Sequence, residues 1–252
     1  MFDTLTTPQR LPLLILLGLW AILLFGGFIF GKTSSDGTKR ELASRRMPRW
    51  TRLSSSLVLV LAGWYWWALA REGEAADFAL TVAIGMTLGF VGDLFMAKLI
   101  IKSEKHVLGG IGAFGLGHIA YIVGFISFGD QIGVIEGRVA AWLIWLIIGA
   151  LAWYVVMFFR GQKHSVLHYA ALPYALLLAS TAGFATGLAI NLSAFVPLAI
   201  GCALFLLSDL ILAARLFNGL YFRLIDDLVW LTYGPAQMLI VYSVGVAMSV
   251  AR

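Results

Sequence analysis

Four strongly polar side chains stand inside stretches that are otherwise apolar: Asp93, His118, Asp209 and Gln237, with Tyr121, Tyr174, Ser208 and Tyr233 close to them in the chain. A carboxylate in the middle of a membrane helix costs about 2.5–3.5 kcal/mol to insert, and a hydrogen bond between membrane helices returns only about 0.6 kcal/mol on average. Two aspartates kept against that cost point to function rather than to fastening. Two carboxyl groups in one low-dielectric pocket resist double ionisation. Such a pair suits acid–base work, one donating a proton while its ionised partner orients water and stabilises developing positive charge. A serine nucleophile is not indicated: Ser208 adjoins Asp209, but neighbours on a helix diverge by about 100°, and no Gly-x-Ser-x-Gly turn is present.

His118 and Tyr121 are three apart and share a helical face. Taken alone, His118 reads as a core histidine bonded to a carbonyl; beside two buried aspartates it becomes a site candidate. His164 and His168, four apart, suit a metal in spacing, but they flank a boundary with no acid nearby in sequence and read as interfacial. Asp226 and Asp227 precede an apolar run and are expected to cap a helix and complement its dipole. Trp64-Tyr65-Trp66-Trp67, Trp142 and Trp145 are expected to form aromatic belts at the outer membrane surface, and Met86, Met96 and Met238 to be packing.

The elements that must carry these residues follow from composition. The chain has 252 residues, is 61% hydrophobic and only 12% charged, with mean hydropathy +0.91, where a soluble domain is typically about 25% charged. It is a multi-pass membrane protein, a single integral-membrane domain over 1–252. Apolar runs at about 11–30, 53–70, 78–100, 107–128, 139–159, 167–190, 195–216 and 228–250 predict an all-α bundle of eight transmembrane helices. The first run lacks a small-x-small cleavage site and reads as an anchor rather than a signal peptide. Cys202, the one cysteine, excludes an intrachain disulfide and a cysteine metal cluster.

Net charge is +5, but the basic residues sit in loops beside apolar spans, which is the pattern of membrane orientation and not of nucleic-acid binding. Lys32, Lys39, Arg40, Arg45, Arg46, Arg49, Arg52, Lys98, Lys102, Lys105, Arg160, Lys163, Arg215 and Arg223 fall on one side, and only Arg10, Arg71, Arg138 and Arg252 on the other. The crowded side is therefore expected to be cytoplasmic, with both termini outside.

Gly85 and Asp93 in the third run and Gly201 and Asp209 in the seventh are each eight apart and followed by apolar, helix-ending residues. That spacing suggests a parallel four-plus-four internal repeat. At 1.5 Å per residue, Asp93 and Asp209 are expected about 10 Å from the cytoplasmic ends of their helices, and His118 and Gln237 about 15 Å from theirs. Four helices thus bring polar groups to one slab in the cytoplasmic half, as a single buried pocket requires.

The segments Gly85-Met86, Gly92-Asp93-Leu94-Phe95-Met96, Gly112-Ala113-Phe114, Gly117-His118-Ile119-Ala120-Tyr121, Leu207-Ser208-Asp209-Leu210-Ile211-Leu212-Ala213 and Tyr233-Gly234-Pro235-Ala236-Gln237, in this order, resemble the YhhN-like lysoplasmalogenase family. The resemblance covers nearly the whole chain. It implies hydrolysis of the vinyl-ether bond of lysoplasmalogens to a fatty aldehyde and a glycerophospho-alcohol, with Asp93 and Asp209 as the catalytic aspartates. A vinyl ether suits an acid–base pair, since protonation of its β-carbon gives an oxocarbenium ion that water captures. The expectation is an inner-membrane ether hydrolase without cofactor or metal. Asp93 and Asp209 are its catalytic residues, and His118, Tyr121, Tyr233 and Gln237 bind substrate or support the pair. Its partner is a single-chain ether phospholipid entering from the membrane. The alternatives are a proton-coupled transporter or lipid-binding protein, and a zinc-dependent lipid hydrolase on His118, Asp93 and Asp209.

Overall fold

Among the described residues, eight helical rods account for the apolar runs. The computed structural model describes residues 5–32, 45–103, 105–156 and 166–251. Lys39, Arg40, Arg160, Lys163, His164 and Arg252 lie outside them. The rods are α1 (Thr7–Phe30), α2 (Arg49–Ala70), α3 (Ala76–Met96), α4 (His106–Gln131), α5 (Arg138–Tyr154), α6 (Val166–Asn191), α7 (Val196–Asn218) and α8 (Ile225–Val250). A π-turn at Ile22–Gly26 widens α1, and Ser243 interrupts α8, its hydroxyl bonding back to the Ile240 carbonyl at 2.7 Å. No strand occurs among the described residues. Seven rods are long and apolar enough to cross a membrane, and α5 is the shorter eighth, with 17 residues.

The sequence expectation placed the end of α3 near residue 100, and the structure ends it at Met96. Lys98 takes a left-handed conformation, φ 58°. The Leu99 N–H then bonds the Leu94 carbonyl at 3.0 Å and the Lys98 N–H bonds the Phe95 carbonyl at 2.8 Å, a Schellman closure built on a lysine instead of glycine. A side chain in that conformation costs about 1–2 kcal/mol. Apolarity continues through Leu99 to Ile101, so hydropathy alone overran the stop.

Except for α4 and α5, neighbours in sequence are neighbours in space: α1 packs on α2, α2 on α3, α3 on α4, α5 on α6, α6 on α7 and α7 on α8, while α4 meets α6 and α8 meets α2. The α3–α4 crossing is close because Gly117 faces the Gly85 carbonyl, and a Cβ on Gly117 would sit 3.0 Å from that oxygen. The helix ends divide into two sets. At one, Gln131 bonds the Glu74 carbonyl, Asn191 the Glu136 carbonyl, and Arg138 pairs with Asp130 at 2.5 Å. At the other lie the described members of the larger basic set.

Two expectations change here. Asp226 and Asp227 lie in the first turn of α8 and make no side-chain cap. Asp227 instead accepts the backbone N–H groups of Arg46 (2.5 Å) and Met47 (2.9 Å), and Asp226 pairs with Arg215 of α7. The α8 dipole is still complemented, but the carboxylates chiefly fasten the segment before α2 and the end of α7. The tryptophans also do more than form a belt. Trp66 is fully buried against Tyr242, and Trp64, Trp142 and Trp145 donate to Thr87, Ser180 and Thr186 on adjacent helices. An indole N–H turned inward gains a partner that hydrocarbon cannot supply.

Candidate active site

A cavity of about 650 Å³ opens at the basic end, and both Asp93 of α3 and Asp209 of α7 stand on its wall. The two acids are not level along their own helices. The early end of α3 leaves Asp93 only three residues, about 4.5 Å, from its terminus, while Asp209 lies nine residues, about 13.5 Å, from the end of α7. His118 and Gln237, each twelve residues into its helix, lie about 18 Å along. One cavity nevertheless reaches both aspartates.

Asp93 is held from two helices. Its Oδ2 accepts the Ser56 hydroxyl of α2 at 2.6 Å and the Tyr233 hydroxyl of α8 at 3.2 Å. Its Oδ1 keeps no partner among the described residues. A second row of groups backs Tyr233: Gln237 Nε2 donates to the Tyr233 hydroxyl at 3.3 Å, and the Tyr121 hydroxyl donates to Gln237 Oε1 at 2.8 Å. These four residues form one hydrogen-bonded line from the packed core to the cavity. Gly92 makes room beside Asp93 for the Phe114 ring, which a Cβ there would meet at 2.7 Å.

Asp209 is arranged differently. Tyr174 of α6 donates to its Oδ2, and Ser208 approaches its Oδ1 at 3.4 Å while bonding chiefly to the Phe205 carbonyl at 2.8 Å. The Ser208 hydroxyl is fully buried and so occupied, which suits it to bracing and not to attack. From Asp209 a narrow apolar slot runs between α4, α5, α6 and α7, lined by Ile111, Trp153, Ala175, Leu178 and Leu206. The cavity and the slot share seven lining residues, Asp209, Phe114 and Met96 among them. Met96 therefore lines the site, where sequence reading took it as packing.

Of the four supporting candidates, Tyr233 lines the cavity. Tyr121 and Gln237 stand behind it. His118 is 1% exposed, bonds the Thr181 hydroxyl through Nδ1 at 3.0 Å, and is covered by Phe205, whose ring centroid is 4.5 Å away. Its Nε2 has no partner among the described residues. Phe205, Tyr121 and Tyr174 pack around it. His168 is buried against Phe217. No three His, Cys, Asp or Glu side chains converge as a metal site among the described residues.

Sequence reading, which expects a lipid phosphate near the cytoplasmic Lys and Arg side chains, missed Ser56 and Thr181. A signal for Ser56 was present: Arg49, Arg52 and Ser56 fall at i, i+3 and i+7, one face of α2, and all three lie on or behind the cavity wall. Thr181 carried none, because an isolated threonine in an apolar helix ordinarily bonds its own backbone.

The model of the YhhN family matches residues 50–244. The chain belongs to the YhhN family. No curated protein and no solved structure matched. The family match runs from the first turn of α2 into the last part of α8, so it takes in Ser56, Asp93, Tyr174, Asp209 and Tyr233, while α1 and Arg45 lie outside it.

Proposed function

We propose that this YhhN-family protein hydrolyses the vinyl-ether bond of lysoplasmalogen-like, single-chain ether phospholipids, with Asp93 and Asp209 as its acid–base pair. The observation that carries the reading is the shared cavity. Two carboxyl groups from different helices meet one space that is cationic at its mouth and continues into an apolar slot. An amphiphile with one chain has that same division.

In the proposed reaction one aspartate, in its acid form, gives its proton to the β-carbon of the vinyl ether. The ether oxygen shares the resulting positive charge, which the other, ionised carboxylate stabilises. That carboxylate then takes a proton from the attacking water. The hemiacetal so formed collapses, the C–O bond to glycerol breaks, and the products are a fatty aldehyde and a glycerophospho-alcohol. One water is consumed and no electron changes hands. Ser56 and Tyr233 hold Asp93 in position, Tyr174 holds Asp209, and the Gln237–Tyr121 pair fixes the Tyr233 hydroxyl.

The same reading places the protein in the cell's inner membrane, with α5 completing an eighth span. By the positive-inside rule the cavity mouth faces the cytoplasm and both termini lie outside. A parallel repeat of α1–α4 in α5–α8 is supported by corresponding contacts. Asp93 is bonded from α2 and Asp209 from α6, and Gly85 meets Tyr121 of α4 as Gly201 meets Leu239 and Ala236 of α8.

The test is fatty-aldehyde release from a lysoplasmalogen by purified protein in detergent, with Asp93→Asn, Asp209→Asn and a chelator in parallel. The expected result is release by the wild type, indifferent to chelator and lost in both folded variants. No release by the wild type, with the lipid bound, would overturn hydrolysis and favour a lipid-binding or transport role. Loss on chelation would favour a metal hydrolase.

A further inference from the structure

The basic residues of the cavity mouth are not equivalent, and their differences identify a subsite. Arg215 is neutralised by Asp226. Arg46 is turned away, its guanidinium on the Ile29 and Gly31 carbonyls and over Phe28. Arg45, Arg49 and Arg52 remain on the cavity wall, and among the described residues none of them forms a contact ion pair with a carboxylate, Asp226 and Asp227 acting on Arg52 only at longer range. Arg52 is the most enclosed of the three. Its guanidinium lies over the Trp230 ring at 5.5 Å, within cation–π range, and its buried Nε makes no hydrogen bond. Held on one face by an indole and standing on the cavity wall, this planar fork suits an anion with several acceptor oxygens.

We propose that Arg49 and Arg52, with Arg45 at the rim, form a phosphate subsite that reads the head group of a single-chain lipid and sets how far its chain enters. Resting on the functional reading above, the inference adds the residues that select a phosphate-bearing substrate and fix its register.

Spacing carries the argument. Arg49, Arg52 and Ser56 lie on one face of α2, and Ser56 holds Asp93. Along the axis Ser56 is about 6 Å from Arg52 and about 10 Å from Arg49. In a 1-alkenyl glycerophospholipid seven bonds separate phosphorus from the carbon to be protonated, about 8 Å at the roughly 1.2 Å per bond of an extended chain. A phosphate shared by the two arginines therefore brings that carbon level with Asp93, and the alkyl tail continues past Asp209 into the apolar slot. A neutral 1-alkylglycerol fits the slot equally well but lacks the group that sets its depth. A chainless glycerophosphate has the group but nothing to fill the slot.

Binding tests this apart from turnover. Equilibrium binding to the purified full-length protein in neutral maltoside detergent is measured for three probes: a non-hydrolysable saturated 1-alkyl lysophosphocholine, the matching 1-alkylglycerol, and glycerophosphocholine. The wild type is expected to prefer the first over each of the others by tenfold or more, the scale of one or two charge-assisted contacts. Arg49→Gln/Arg52→Gln should bind the two alkyl probes about equally, Arg49→Lys/Arg52→Lys should recover part of the preference, and Arg71→Gln, at the opposite end, should retain it. Arg49→Gln alone, which leaves the Arg52–Trp230 contact in place, should lose several-fold. Glutamine variants that keep the full preference would overturn the subsite. Glycerophosphocholine binding as tightly as the lipid would overturn the single lipid spanning both compartments. If the preference depends on the arginines but no vinyl ether is cleaved, the subsite stands and the hydrolase reading fails.

Discussion

Gly85→Ala adds one methyl group where α3 meets α4, and the structure states what that methyl would strike. Its carbon would lie 2.3 Å from Cε1 and 2.5 Å from Cδ1 of Tyr121, a ring that is 1% exposed and stacked on Phe125. A buried ring cannot swing aside as the end of a flexible chain can. Overpacking of this kind costs about 1–3 kcal/mol, and displacing Tyr121 also forfeits its hydrogen bond to Gln237, worth about 1 kcal/mol. Replacing glycine by alanine in a helix returns about 1 kcal/mol, so the net loss is about 1–3 kcal/mol. In a Tyr121→Ala background the obstacle is gone, and the same methyl should stabilise by about 1 kcal/mol. The two substitutions are therefore expected to couple by about 2–4 kcal/mol, far beyond the 0.3–0.5 kcal/mol or so within which independent sites add. Unfolding free energies of the four proteins in mixed neutral and anionic detergent micelles measure this. Gly112→Ala is the control for helix propensity, since nothing lies within 4 Å of its added carbon. Additive effects would refute the claim that the Tyr121 ring fills the space left by Gly85.

Tyr233→Phe removes the hydroxyl that links Asp93 to Gln237; Ser56 still holds the carboxylate, so turnover should fall about tenfold to a hundredfold, as for one charge-assisted hydrogen bond, with lipid affinity little changed when kcat and KM are separated. Ala175→Leu narrows the apolar slot and should shift chain preference toward shorter lipids in competitive binding, whereas an unchanged chain profile would place the tail elsewhere. Asp227→Ala strips the Arg46 and Met47 N–H groups of their acceptor and should destabilise by about 1.5–3 kcal/mol, read as a lower apparent Tm and faster proteolysis just before α2.

Several features of the molecule could be read without coordinates because they are written in local spacing and composition. Apolar runs long enough for a bilayer specify helices regardless of what surrounds them. A carboxyl group inside such a run is conspicuous because hydrocarbon cannot solvate it. The sequence therefore determined the all-helical membrane class and the prominence of Asp93 and Asp209, and ordered segments on four helices pointed to the family. Helix ends were less legible. The stop after Met96 depends on a left-handed lysine, which hydropathy does not register, and it leaves Asp93 within a turn of the end of its helix.

Only the tertiary structure decided which groups share a space. Ser56 and Asp93 are 37 residues apart in the chain, and Tyr233 and Asp93 are 140 apart; no periodicity within one helix reports such pairings, because each depends on the rotation of two helices about their own axes. Rotation also set His118 behind Phe205 while leaving Tyr233 on the cavity wall. It divided one run of basic residues into Arg46, bound to its own backbone neighbourhood, and Arg45, Arg49 and Arg52, turned to the cavity. Charge and hydropathy along a chain say that a residue is costly to bury; packing between helices decides what shares its burial.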